Sequence, residues 1–73
     1  MTDVEKLREK IDSSGYKISF IAERLNLTPQ GLYLKLKNTS EFKATEIQIL
    51  CNLLGIDDPE EMKAIFFANA VAK

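Results

Sequence analysis

The chain has no histidine and only one cysteine, Cys51, among its 73 residues. One cysteine cannot form an internal disulfide, and histidine is the commonest metal ligand and general base in proteins. A zinc site, a cysteine–histidine pair and a Ser–His–Asp triad are therefore excluded. We expect no enzymatic activity, no cofactor and no metal. Cys51 lies on the apolar side of a predicted helix, so we expect it in the core.

The sequence also lacks a long apolar run. No stretch approaches the roughly 18 apolar residues of a membrane-spanning helix, and the charged N-terminus MTDVEKLREK is unlike a signal peptide. With 45% hydrophobic and 29% charged residues, the composition is that of an ordinary globular protein. A chain of this length forms one small core and buries about 60–65% of its unfolded surface. We expect a single cytoplasmic domain over residues 1–73, with no membrane partner and no small-molecule ligand.

The net charge of −1 is unevenly distributed along the chain. From Lys17 to Lys43 there are five basic and two acidic residues, a net charge of +3. The remainder holds five basic and nine acidic residues, a net charge of −4. A basic segment attracts the phosphates of nucleic acid, while acidic ends weaken non-specific binding. The distribution therefore favours DNA contact through the central segment.

Apolar spacing and helix-capping residues predict five α-helices and no β-strand. Thr2-x-x-Glu5, Thr28-Pro29 and Asp58-Pro59 are start signals, and Gly15 and Gly55 are stop signals. The predicted helices run from residue 3 or 4 to about 13, from 18 to 25, from 29 to 37, from 44 to 54 and from 59 to 70. The predicted fold class is all-α, a compact bundle of five short helices.

The second and third predicted helices form a pair joined by a tight turn. Ala22 is small enough to let the two helices approach closely, and Asn26 tolerates the left-handed backbone that a sharp break requires. Leu32 and Leu36 lie one turn apart and face inward. The pattern predicts a helix-turn-helix, whose second helix can lie in the major groove of DNA.

Residues on the outward side of the third predicted helix are candidates for contact with bases. Gln30, in the first turn, can form two hydrogen bonds to adenine, worth about 1–3 kcal/mol of discrimination, or is a solvated polar residue. Leu34 can meet thymine methyl groups, or it covers the stem of Lys37, or it belongs to a partner interface. Gly31 indicates close approach of the backbone, to the second helix or to DNA, and packing against the second helix is favoured.

Several of these features occur together in one known family. They are Ala22, the turn at Asn26, Leu32, Leu36, the stretch KLKNTSEF and a helix that ends in LLGI. Over residues 4–67 the chain resembles the phage repressor/Cro-type (lambda-repressor-like) helix-turn-helix domain. The F-x-x-x-E-I segment that begins at Phe42, and the pair Phe66-Phe67, resemble small phage-encoded regulators of Gram-positive hosts.

The resemblance implies a transcriptional regulator whose third helix reads double-stranded DNA. It places phosphate contacts at the end of that helix and in the loop that follows. The family often begins its second helix with Thr-Gln where this chain has Lys17-Ile18, so Lys17 is the residue available for that phosphate. The full predicted DNA-binding set is Lys17, Thr28, Gln30, Gly31, Tyr33, Leu34, Lys35, Lys37, Asn38, Thr39 and Lys43.

A second class of function is also consistent with the sequence. The pI of about 5.3, the missing Thr-Gln pair and the outward Leu34 favour a helical protein-interaction module or an anti-repressor. Such a protein would keep the fold without binding DNA.

The fifth predicted helix carries more apolar residues than one stripe requires. Phe66 and Phe67 cannot both point into one small core, so one of them is expected on the surface. With Ala70 and Val71 the pair predicts a homodimer interface. The opposing interpretation is that this helix wraps around the domain and buries both rings.

Overall fold

Five α-helices make up the computed structural model, which describes residues 1–68. They are α1 (Val4–Ser14), α2 (Ile18–Arg24), α3 (Pro29–Leu36), α4 (Ala44–Leu54) and α5 (Pro59–Phe66). Helix α2 packs against α3, and α1 packs against α4 and α5. The predicted all-α bundle is confirmed, and none of the described helices has the length and apolarity to cross a membrane.

Glycine and aspartate fix three helix ends where the sequence predicts them. Gly15 and Gly55 follow α1 and α4 directly and adopt left-handed backbone conformations, with φ of 79° and 71°. Asp58 caps the start of α5 by accepting a hydrogen bond from the backbone N–H of Glu60 at 3.0 Å. These ends are set by residues next to them in the chain.

The start of α1 differs from the predicted capping box at Thr2. Asp3 caps the helix instead, because its carboxylate accepts a hydrogen bond from the backbone N–H of Lys6 at 3.2 Å. Thr2 is buried, and its backbone N–H and carbonyl bind the side chain of Asn38. The N–H of Asp3 donates to the carbonyl of Ile65 at 2.6 Å. The N-terminal segment therefore links the end of α3 to α5.

Helix α5 is shorter than predicted. It ends at Phe66, because Phe67 leaves the helical conformation with φ −128° and ψ 46°. The next N–H, of Ala68, donates to the carbonyl of Met1 at 3.1 Å. The helix stops before the predicted end at Ala70, which lies outside the described residues.

The core is formed by the inward side of every helix, together with three residues outside the helices, Leu25, Phe42 and Ile56. Phe42, in the loop between α3 and α4, meets Phe66 edge-to-face with ring centroids 5.8 Å apart. The buried apolar residues are Leu7, Ile11, Ile21, Ala22, Leu25, Leu32, Leu36, Phe42, Ile47, Leu50, Ile56, Ile65 and Phe66. Because Leu32 and Leu36 are buried, the opposite side of α3 is presented to solvent.

Candidate nucleic-acid interface

The turn between α2 and α3 is built as its sequence predicts. Asn26 adopts φ 61°, and the N–H of Leu27 donates to the carbonyl of Ala22 at 2.8 Å. Ala22 is fully buried, so no larger side chain has room there without displacing its neighbours. The predicted pair of helices and the break between them are present. That this pair acts as a DNA-binding helix-turn-helix stays a prediction.

Helix α3 begins at a cap that involves only neighbouring residues. The Thr28 hydroxyl accepts a hydrogen bond from the N–H of Gly31 at 3.0 Å, and Pro29 occupies the first helical position. A Cβ on Gly31 would lie 3.3 Å from that hydroxyl oxygen and 3.9 Å from Cβ of Leu27. The close contacts of Gly31 are thus with the turn. The favoured explanation, packing against α2, is wrong.

Three exposed residues of α3, Gln30, Tyr33 and Leu34, together with Lys37 directly after its last turn, form a surface that we call the outer face. Tyr33 and Leu34 are 43% and 44% exposed, so two large side chains add apolar surface to the outer face. Gln30 offers a donor and an acceptor, and Lys37 offers a cation. The outer face can therefore bind a surface that combines hydrogen-bonding groups, apolar methyl groups and negative charge.

Further exposed side chains that can bind phosphate, through a hydroxyl or an ammonium group, lie in two places. One is the segment between α3 and α4, which we call loop 37–43, and the other is the residue before α2. Thr39 and Lys43 are exposed, as the predicted phosphate contacts require. Lys17 is exposed too, and it occupies the N-cap position of α2 without forming a side-chain cap. These three side chains are available to an anionic partner.

Lys35 differs from the other predicted phosphate contacts. Only 8% of the residue is exposed, and its ammonium donates to the backbone carbonyl of Glu41 at 2.8 Å. The same ammonium pairs with the carboxylate of Glu46 at 3.2 Å and lies 5.9 Å from the ring centroid of Phe42. Lys35 follows Leu32 by three positions, so it shares the inner side of the helix. The predicted phosphate contact at Lys35 needs correction, because this ammonium is enclosed and already bound.

Asn38 is also occupied within the protein. Its amide oxygen accepts a hydrogen bond from the backbone N–H of Thr2 at 3.1 Å, and its amide nitrogen donates to the carbonyl of Thr2 at 3.0 Å. Its backbone is left-handed, with φ 61°. Both polar atoms of the side chain are used, so Asn38 is not a free phosphate contact in this conformation.

The predicted dimer residues fall into different environments. Phe66 is a core residue, 3% exposed, so it is removed from the predicted interface. Phe67 is 42% exposed and lines an open groove between α4 and α5 with Ile47, Cys51 and Met62. The other two predicted members, residues 70 and 71, lie outside the described residues. The homodimer stays a prediction that depends on Phe67.

Cys51 is half-buried and packs against the core, close to its predicted place. Burial raises the pKa of the Cys51 thiol, and the negative charge of Glu61 raises it further. A thiol with a raised pKa stays protonated at neutral pH, and a protonated thiol is a poor nucleophile. Cys51 therefore acts as a small apolar residue.

Sequence reasoning missed the partners of Lys35 and Asn38, which are Glu46 and Thr2. One signal was present for Lys35, because its position between Leu32 and Leu36 on the helix places it on the buried side. No comparable signal pointed to Thr2, which pairs with a residue 36 positions away.

Comparison with known protein families, with characterised proteins and with solved structures finds no match to this chain.

Proposed function

We propose that this chain is a sequence-specific DNA-binding transcriptional regulator of the phage repressor/Cro type. Helix α3 enters the major groove, and loop 37–43 contacts the phosphates. The observation that carries the proposal is the outer face of α3, which is exposed while the opposite side of the helix is anchored in the core. A short helix held in this way can be laid against a duplex without unfolding any part of the domain.

Within this proposal the exposed residues have separate roles. Gln30, in the first turn of α3, reads adenine through its amide, and Leu34 meets thymine methyl groups. Lys37 and Lys43 neutralise phosphates, with Thr39 as a hydrogen-bonding neighbour. Pairing of two copies through Phe67 would place two half-sites about 34 Å apart, one turn of the double helix. Occupancy of such an operator is sufficient to block or assist a promoter.

The test begins with selection of an operator from a random duplex pool, followed by binding measurements over a range of salt concentrations. Each of Lys37→Gln and Lys43→Gln should weaken binding to all duplexes and reduce the log–log salt slope by about 0.9, because each removes one phosphate contact. Gln30→Ala should instead relax discrimination at one base pair.

Lys63→Gln is the matched control, because Lys63 is exposed on α5 and belongs neither to the outer face nor to loop 37–43. It removes the same charge and should leave the salt slope unchanged. Binding that does not depend on salt, or an equal loss in the control, would contradict the proposal.

A protein-interaction module is the second candidate function, favoured by the exposed apolar side chains. Tyr33 and Leu34 occupy half of the outer face, and Tyr16 and Phe20 form an exposed aromatic pair with ring centroids 5.0 Å apart. Leu34→Lys separates the two functions. If α3 faces DNA, the added cation should leave binding to heparin and to mixed-sequence DNA unchanged or make it tighter. If α3 docks on an apolar protein surface, the same cation should abolish that docking.

A further inference from the structure

The buried ammonium of Lys35 joins parts of the chain on both sides of loop 37–43. It extends from the last turn of α3 to the backbone carbonyl of Glu41 at 2.8 Å. It also pairs with the carboxylate of Glu46, in the first turn of α4, at 3.2 Å. The two side chains are only 10% and 8% exposed. One cation therefore holds the loop and the following helix against α3.

The partner carboxylate makes a second contact at the other end of the loop. Oε1 of Glu46, the oxygen nearest to Lys35, also accepts a hydrogen bond from the backbone N–H of Lys43 at 2.8 Å. A single oxygen atom thus connects the end of α3 to the residue that precedes α4. Lys37 and Lys43, the two exposed cations of the loop, lie at its two ends.

We infer that Lys35 is a positioning residue, which with Glu46 fixes loop 37–43 so that Lys37 and Lys43 are held ready for an anionic ligand. The inference rests on the proposed function only for the identity of that ligand as DNA. It assigns Lys35 a role opposite to that of its basic neighbours, since Lys35 never touches the phosphate. A loop ordered before binding loses less conformational entropy when it binds.

Release of Lys35 toward a ligand is disfavoured by the burial of its partner. If the ammonium swung outward, the Glu46 carboxylate would remain buried without its counter-charge, and an isolated buried charge is strongly destabilising. The exposed cations of the loop carry no such penalty.

Two substitutions, each of which removes one negative charge, test the inference. They differ in whether the carboxylate that is removed pairs with Lys35. Glu46→Gln weakens the hold on Lys35, while the amide oxygen still accepts the hydrogen bond from Lys43. Glu41→Gln is the matched control: its side chain is exposed, and its backbone carbonyl still accepts from Lys35. Both variants remove one negative charge beside the loop, a change that by itself strengthens binding to DNA.

The two variants should therefore change affinity for a short mixed-sequence duplex at low salt in opposite directions. Glu41→Gln should bind more tightly than the unmodified protein. Glu46→Gln should bind about fivefold more weakly, because a hydrogen bond from the ammonium to an uncharged amide oxygen replaces the ion pair and the loop loosens. Tighter binding by both variants to the same extent would overturn the inference.

Acylation of lysine side chains, followed by mass spectrometry, measures in the protein without DNA how strongly the ion pair with Glu46 protects the Lys35 amine. Lys35 should react more slowly than Lys37 and Lys43, and Glu46→Gln should accelerate the reaction of Lys35 selectively. Equal rates for the three lysines would overturn the inference, even if Glu46→Gln fails to fold. Slow acylation of Lys35 in a protein that binds no DNA would support the positioning role of Lys35 and reject DNA as the ligand. Failure of the inference and failure of the proposed function therefore give different results.

Discussion

The two ends of α3 are held in different ways. At the start, Thr28 and Gly31 bind each other across three residues, and the cap needs nothing from the rest of the protein. At the far end, Lys35 and Asn38 bind Glu46 and Thr2, which lie on α4 and in the N-terminal segment. One short helix thus combines a start that is determined locally with an end whose contacts exist only when the whole domain is folded.

The largest expected loss of stability comes from removing the ion pair between Lys35 and Glu46 at the far end of α3. Lys35→Met leaves the buried Glu46 carboxylate without its cation, and we expect the free energy of unfolding to fall by about 3 kcal/mol. Adding Glu46→Leu should recover about 1 kcal/mol, because the buried charge is gone; the remaining loss of about 2 kcal/mol reflects two missing hydrogen bonds, at the Lys43 N–H and at the Glu41 carbonyl. Urea denaturation of the single and double variants measures both. A single variant as stable as the unmodified protein would show that the pair is not buried in solution.

The next effect concerns the packing of α2 on α3. Ala22→Leu adds bulk at a position with no exposed surface, and we expect a loss of about 1–3 kcal/mol because the two helices must move apart. The same substitution at Ala44, which is exposed at the start of α4, should change stability by less than about 0.5 kcal/mol. Thermal unfolding, monitored by circular dichroism, measures the stability of both variants. Equal losses at Ala22 and Ala44 would contradict the close approach of α2 and α3.

A smaller loss of stability is expected at Asn38, and a comparison with Asn26 distinguishes the contribution of the backbone conformation from that of long-range hydrogen bonds. Asn26 and Asn38 both adopt φ 61°, which glycine adopts without strain, so glycine relieves the backbone equally at both positions. Asn38→Gly also loses both hydrogen bonds to Thr2 and should cost about 1.5 kcal/mol. Asn26→Gly should leave stability within about 0.5 kcal/mol. Amide exchange should accelerate at Thr2 in the Asn38 variant only; unchanged exchange there would argue against the link.

The smallest expected effect is at the local start of α3. Thr28→Ala removes the capping hydroxyl and should cost about 1 kcal/mol, while Thr28→Ser keeps the hydroxyl and most of the stability. Amide exchange should accelerate at Gly31, which donates to the hydroxyl, and stay unchanged around Lys35. Faster exchange at both ends of α3 would show that the two ends are not independent.

The same division between local and distant contacts explains how well the structure follows from the sequence. The bounds of α4, the break at Asn26 and the cap at Thr28 agree with prediction, since each depends on residues within one or two turns. The cap of α1 and the end of α5 do not, because Thr2 and Ala68 are bound by distant partners.

The candidate site divides along the same line. The exposure of Gln30 and Lys37 follows from helical periodicity, once Leu32 and Leu36 are known to face inward. The resemblance predicts Lys35 as a phosphate contact, because it places such contacts at the end of the third helix. Burial of a lysine depends on a carboxylate and a carbonyl that meet it only in the folded domain.

Five short helices over residues 1–68, with a small residue and a sharp break between the second and third, follow from the amino-acid pattern. Helical periodicity and capping act over a few residues, so the chain encodes them locally. Which polar residues near the end of α3 stay free for a ligand depends on contacts that form only in the folded domain. The reason is physical: Lys37 remains in water, whereas Lys35 and Asn38 find partners that come from other parts of the chain.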